Sequence, residues 1–190
     1  MSVNTVTAPK RHRITVEEYH RMGEAGILSE DDRVELIEGE IIDMAPIGSR
    51  HSACLSKLIR IFARDTDALV RIQDPIRLKN DSEPQPDLAL VHFRADGYAE
   101  CHPGPEDVLL LIEVADTSLT YDRTVKMPLY AEHGIREAWL IDLEKKTVEI
   151  FREPSPEGYR ETKRIGSEES IRPSLCPEVK IELSKLFSGF

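Results

Sequence analysis

The stretch Val108-Leu109-Leu110-Leu111-Ile112-Glu113-Val114-Ala115 decides the fold. Its unbroken apolar run, without alternation, suits a strand covered on both faces of a sheet. Glu113 then places a carboxylate inside the same strand, where ionising a lone acid is costly. Upstream, Asp87–His92 and Val70–Leu78 are bounded by Pro, Gly, Asn or Asp and read as two further strands. Before them, Leu55, Leu58, Ile59 and Phe62 recur at helical spacing. They predict an amphipathic helix of about four turns starting near Ser49 or His51. Downstream, Asp122–His133 is helical in character and stops at Gly134, with Pro128 either in its first turn or kinking it. Glu137–Asp142 and Thr147–Arg152 follow as strands about the turn Glu144-Lys145-Lys146. The order α-β-β-β-α-β fits a mixed α/β (α+β) sheet with helices on both faces.

The N-terminal side adds a helix and a hairpin. Thr15-Val16-Glu17-Glu18 matches a capping box, and Gly23 or Gly26 can end the short helix. Arg33–Met44 reads as two short strands meeting at Glu38-Gly39-Glu40. Toward the C terminus, Pro and Ser punctuate the chain, which closes with strand-like Val179–Leu183 and a Leu186-Phe187 anchor. With 190 residues, the expectation is a flexible segment over residues 1–13 and a single domain over 14–190.

Hydrophobic residues at 40% and charged residues at 32% describe an ordinary globular chain. The net charge of −10 argues against attraction to nucleic acid across the whole surface. A local basic groove or bound divalent cations would offset it at a site. Cys54, Cys101 and Cys176 are scattered and form no C-x-x-C pair, so neither a disulfide framework nor a zinc knuckle is indicated. Free thiols in a reducing compartment are the expectation. Residues 1–13 lack the apolar stretch of a secretory signal, and no run approaches the roughly 20 apolar residues of a membrane span. A cytoplasmic protein without a membrane partner is expected.

Asp87 follows Pro86 at the opening of its strand. If that strand neighbours the one carrying Glu113, two carboxylates end on the same side of the sheet. At about 4 Å and an effective dielectric near 20, their repulsion is roughly 4 kcal/mol. A hard divalent cation such as Mg²⁺ or Mn²⁺ would offset it, and so would structural pairing with Arg or Lys. These two residues alone leave both open. Lys126 lies on the helix that leaves the Glu113 strand, so its flexible amine can return to the pair. There it would stabilise charge developing on a phosphate or orient an attacking water. Tyr130, one turn later, has packing as its default role and phosphate contact as the sharper alternative. Glu35 and Glu38 in the hairpin face opposite ways by strand alternation, so one of them offers a further carboxylate. His51 reads as a helix-terminal residue ahead of a phosphate contact. No H-E-x-x-H, Walker A, dinucleotide or G-x-S-x-G pattern is present, and Ser118 has no evident His-acid partnership.

Pro86-Asp87 followed by Glu113-Val114-Ala115 resembles the PD-(D/E)XK nuclease signature, with Ala115 where that signature has Lys. The wider pattern resembles the Uma-two family of endonuclease-like proteins, a bacterial branch of that superfamily. The resembling stretches are 15–19, 34–40, 86–91, 112–114, 122–123, 126–131 and 137–142, in order along nearly the whole chain. The resemblance implies a restriction-endonuclease-like core with Asp87 and Glu113 as metal ligands. It also implies that the lysine has migrated to Lys126, and that Glu35 rather than Glu38 is the extra carboxylate. Mg²⁺- or Mn²⁺-dependent hydrolysis of phosphodiesters, with DNA the expected substrate, follows as the leading expectation. The rival is a binding or regulatory module that keeps the fold without the activity, which the net charge and sparse basic clustering favour. A homodimer would suit paired sites for double-strand cutting.

Overall fold

The computed structural model describes residues 10–29 and 31–190; residues 1–9 of the expected flexible segment lie outside that range. The Thr15 hydroxyl accepts from the Glu18 N–H while the Glu18 carboxylate accepts from the Thr15 N–H. This reciprocal cap starts α1 (Val16–Glu24). β1 (Val34–Ile37) and β2 (Glu40–Asp43) form an antiparallel hairpin. Its two turn residues, Glu38 and Gly39, have φ of 48° and 75°, the hand that matches the twist of paired strands. At Gly39 a Cβ would lie 2.6 Å from the Cβ of Arg13, so glycine is required there for space as well as for φ.

α2 (Ser49–Asp65) leads into β3 (Leu69–Ile72), β4 (Leu88–Val91) and β5 (Val108–Ala115). α3 (Leu119–Tyr121), a π-helical stretch Asp122–Lys126 and α4 (Met127–Glu132) then carry the chain over to β6 (Glu137–Asp142). β7 (Thr147–Ser155) and β8 (Gly158–Gly166) complete a six-stranded sheet of order β3-β4-β5-β6-β7-β8. Every pair is antiparallel except β5–β6, the pair joined by the helical crossover. The anticipated α-β-β-β-α-β core is therefore present as α2-β3-β4-β5-(α3–α4)-β6. β9 (Ser170–Ile171), β10 (Ile181–Glu182) and α5 (Leu183–Leu186) close the described chain.

Strand alternation distributes the core over both faces of the sheet. Leu110, Ile112 and Val114 pack with Trp139, Ile141 and the α2 residues Leu55, Leu58 and Phe62. Leu111 and Ala115 pack with Ala89, Val91, Leu140 and the α4 residues Met127, Leu129 and Tyr130. Glu113 falls in the row of Leu111 and Ala115, and Asp87 continues the row of Ala89 and Val91. Both acids thus belong to the face that the crossover covers.

Several expected boundaries shift. The strand expected over Val70–Leu78 ends at Ile72, because Gln73 takes φ 52° and turns the chain out of the sheet. That expected over Asp87–His92 is confined to Leu88–Val91. In the region expected as Val179–Leu183, only Ile181–Glu182 pairs, and Leu183 begins α5. β8 was not anticipated. As an edge strand it pairs with β7 alone and buries only Ile165, so it carries no apolar alternation. The helix expected from Asp122 begins at Leu119 and widens, with the Met127 N–H donating to the Asp122 carbonyl. Pro128, second in α4, has no N–H to give, and the wide turn precedes its ring. All three cysteines are free thiols. Among the described residues no helix is long and apolar enough to cross a membrane.

Gly39→Ala and Gly134→Ala both force alanine into positive φ, but nothing lies within 4 Å of a Cβ at Gly134. Urea denaturation is expected to show about 1–2 kcal/mol lost at Gly134. Gly39→Ala is expected to lose a further 1–3 kcal/mol or so from the steric conflict with Arg13. Equal losses would show that the close approach at Arg13 is without consequence.

Candidate active site

A cleft of about 350 Å³ opens on this face, lined by Glu35, the Met44–Gly48 segment, His51, Asp87, Glu113, Tyr121, Asp122 and Lys126. All four residues anticipated for the site, Glu35, Asp87, Glu113 and Lys126, meet here. Lys126 is buried, with Nζ 3.0 Å from Glu35 Oε2 and 3.3 Å from Glu113 Oε1. The π-helical turn matters locally, since both its first residue, Asp122, and its last, Lys126, are buried. Glu38 is exposed at the hairpin turn and paired with Arg13, whereas Glu35, the acid implied by the resemblance, is buried at the cleft. The Gln85 N–H donates to Glu35 Oε2 at 3.0 Å, and the Gln85 side chain donates to the Val34 carbonyl, tying the hairpin to the chain ahead of Asp87.

Asp87 and Glu113 touch through the backbone, the Asp87 N–H lying 3.4 Å from Glu113 Oε2. Asp87 Oδ2 accepts from the Val114 N–H at 2.8 Å and lies 2.9 Å from His51 Nε2, while Gln73 Nε2 donates to Oδ1 over a longer 3.3 Å. The Tyr130 hydroxyl donates to Glu113 Oε1 at 2.6 Å. Tyr130 is therefore neither simple packing nor a phosphate contact; it is fully buried and orients a carboxylate. His51, read from sequence as a helix-terminal residue, sits against Asp87. Neither partnership had a usable sequence signal, apart from the helical spacing of Tyr130 to Lys126. Asp122, expected only as a helix start and part of a resembling stretch, also lines the cleft, and its Oδ2 accepts from the Ser118 hydroxyl at 2.5 Å.

The electrostatics follow from burial and crowding. Burial pushes the Glu113 carboxyl well above the usual range; Lys126 opposes this, and Asp87, Asp122 and Glu35 reinforce it. Burial acts to raise Asp87 too, but the His51 contact, the Val114 N–H and Lys126 outweigh it and hold the carboxyl below its ordinary value. Asp122 is pushed up to about 6, by burial first and then by Asp87 and Glu35, against its Ser118 hydrogen bond and Lys126. Burial disfavours the Lys126 charge, yet Glu113, Glu35 and Asp122 more than offset it, and its pKa rises.

The donor set suits a hard cation. The close contacts of each carboxylate gather on one oxygen: Asp87 Oδ2, Glu113 Oε1 and Glu35 Oε2. Asp87 Oδ1 and Glu113 Oε2 carry one contact each, at 3.3 and 3.4 Å. Among the described residues no three His, Cys, Asp or Glu side chains form a complete ion cage. A small divalent ion that keeps several waters needs only one or two carboxylates, which the Asp87–Glu113 pair could provide.

The family model Uma2, "Putative restriction endonuclease", matches residues 16–184. Among solved structures, a "putative nuclease belonging to DUF820" from Anabaena variabilis is similar at 23% identity with a TM-score of 0.73. That match covers 92% of this chain and 98% of the other, and shows the shared fold. No curated protein matches significantly.

Asp122 generates a pH prediction. The folded chain holds its proton up to about pH 6, against 3.8 for an ordinary Asp, so ionising it opposes folding as pH rises through that window. In chelator, Asp122→Asn is expected to match the wild type near pH 4 and to be more stable at pH 7 by up to about 3 kcal/mol. A difference independent of pH would refute this account of Asp122.

Proposed function

The chain belongs to the Uma2 family, of restriction-endonuclease-like fold, and on that footing we propose that it is a Mg²⁺- or Mn²⁺-dependent endonuclease acting on nucleic acid, with DNA the expected substrate. The observation that carries this reading is the buried Lys126 ammonium held between Glu35 and Glu113, beside Asp87, in an open cleft. In this reading Asp87 and Glu113 hold the cation, and Glu35 fixes Lys126 and completes the acidic shell. A divalent ion there supplies Lewis acidity toward a phosphodiester and makes water more acidic.

The chain's own residues supply the rest. Lys126 keeps a positive charge at the cleft floor, where low exposure strengthens its attraction for charge developing on phosphorus-bound oxygens. Tyr130 holds Glu113 in one orientation. The lysine stands on the helical crossover instead of two residues after Glu113, where Ala115 is buried with the core.

One observation favours the inactive binding module. Among the described residues the cleft is lined by Glu35, Asp43, Asp87, Glu113, Asp116 and Asp122 against only Arg33 and Lys126 as permanent cations. Such a wall repels a polyanion unless cations bind first. Calorimetric Mn²⁺ titration separates the readings: the nuclease reading expects binding that Asp87→Ala abolishes, and intact carboxylates without binding would favour the module.

Incubation with single- and double-stranded DNA and RNA in Mn²⁺ is expected to yield cleavage that falls at least about 100-fold in Asp87→Ala and Lys126→Ala. Unchanged activity in both variants would sink the mechanism. Lys126→Ala also leaves Glu35 and Glu113 unpaired, so thermal or urea unfolding at pH 7 should show a loss of about 3–5 kcal/mol. That loss should shrink as pH falls, because protonating Glu113, whose carboxyl burial already raises, removes one of the unpaired charges.

A further inference from the structure

The first turn of α2 is fastened to the sheet ends that flank the cleft. Arg50 Nη1 donates to Asp116 Oδ1 at 3.2 Å, just past β5, and Nη2 donates to the Leu143 carbonyl at 2.6 Å, just past β6. His51, the next residue, is thereby delivered to Asp87. Its side chain is 12% exposed, too enclosed for a solvated surface histidine, and Nε2 lies 2.9 Å from Oδ2. Nδ1 is buried and has no hydrogen-bond partner among the described residues.

We propose that His51 is a positioning residue for Asp87: its Nε2–H holds Oδ2, fixes the carboxylate plane, and leaves Oδ1 presented for a divalent cation. This rests on the metal-dependent reading above. Oδ2 also accepts the Val114 N–H at 2.8 Å, so that oxygen has a side-chain and a backbone donor. Oδ1 has only Gln73, at 3.3 Å. A carboxylate acceptor requires a proton on Nε2. Tyr130 does the corresponding work on Glu113, holding Oε1 and leaving Oε2 with one long contact. Each proposed ligand thus has its own donor from a different helix, α2 for one and α4 for the other.

Two measurements test this. Long-range ¹H–¹⁵N NMR on the metal-free full chain is expected to show a proton on His51 Nε2; a ring protonated on Nδ1 alone would overturn the assignment. Mn²⁺ calorimetry is then run on wild type, His51→Ala and His51→Gln, the glutamine amide reaching about as far as Nε2. His51→Ala is expected to weaken Mn²⁺ binding about 10–100-fold, as loss of a partner to a ligand does, and His51→Gln to restore most of it. If wild type binds Mn²⁺ and His51→Ala binds equally well, this inference fails and the metal-dependent reading stands. If His51→Gln is as weak as His51→Ala, the role is packing and the inference again fails. Absence of Mn²⁺ binding by wild type overturns both. Should His51→Ala misfold, the Nε2 proton and the glutamine variant still decide.

Discussion

A buried ammonium must have carboxylates around it, and at Lys126 that requirement draws together three parts of the chain that are remote in sequence. Glu35 comes from a hairpin outside the main sheet, Glu113 from the sheet interior, and Lys126 from the crossover between β5 and β6. Removing an ion from water costs several kcal/mol, so each member is tolerable only with the others in place. The hairpin is held by this contact, by Gln85 and by the backbone bridge between Leu36 and Glu83. The π-helical turn that buries both Asp122 and Lys126 is part of the same arrangement.

The charges do not balance locally. One lysine faces Glu35, Glu113, Asp87 and Asp122, and the cost is visible in the raised carboxyls of Glu113 and Asp122. A structural ion pair would need no such surplus of acid. The surplus, together with oxygens left weakly engaged on Asp87 and Glu113, is what a divalent ion would use. It also gives the overall charge of −10 a different weight: acidity at the cleft would serve a bound cation, while acidity elsewhere opposes nonspecific attraction to a polyanion.

Much of this was legible residue by residue. The apolar run of β5 announced a strand buried on both faces, the Leu55-Leu58-Phe62 spacing announced α2, and Gly134 marked the end of the crossover helix. Asp87 and Glu113 stood out because carboxylates are anomalous at such strands. β8 was invisible because an edge strand facing solvent has no burial pattern to display. Tyr130 and His51 were visible as residues but not as partners. A hydroxyl and an imidazole take their roles from what lies within 3 Å, and that distance spans 17 and 36 positions of chain here.

By itself, then, the sequence determined the order of the core elements α2 to β6, the faces they bury and the few charged residues that had to be explained. Those follow from periodicity and burial, which are local. The tertiary structure alone placed Glu35 on the cleft and Glu38 at the exposed turn, turned Lys126 from a helix residue into the centre of an acidic cluster, and gave Asp87 and Glu113 their separate donors. Those depend on which strands become neighbours and where a helix widens by one residue. Ångström-scale distances between remote segments set them, and no spacing along the chain encodes such distances.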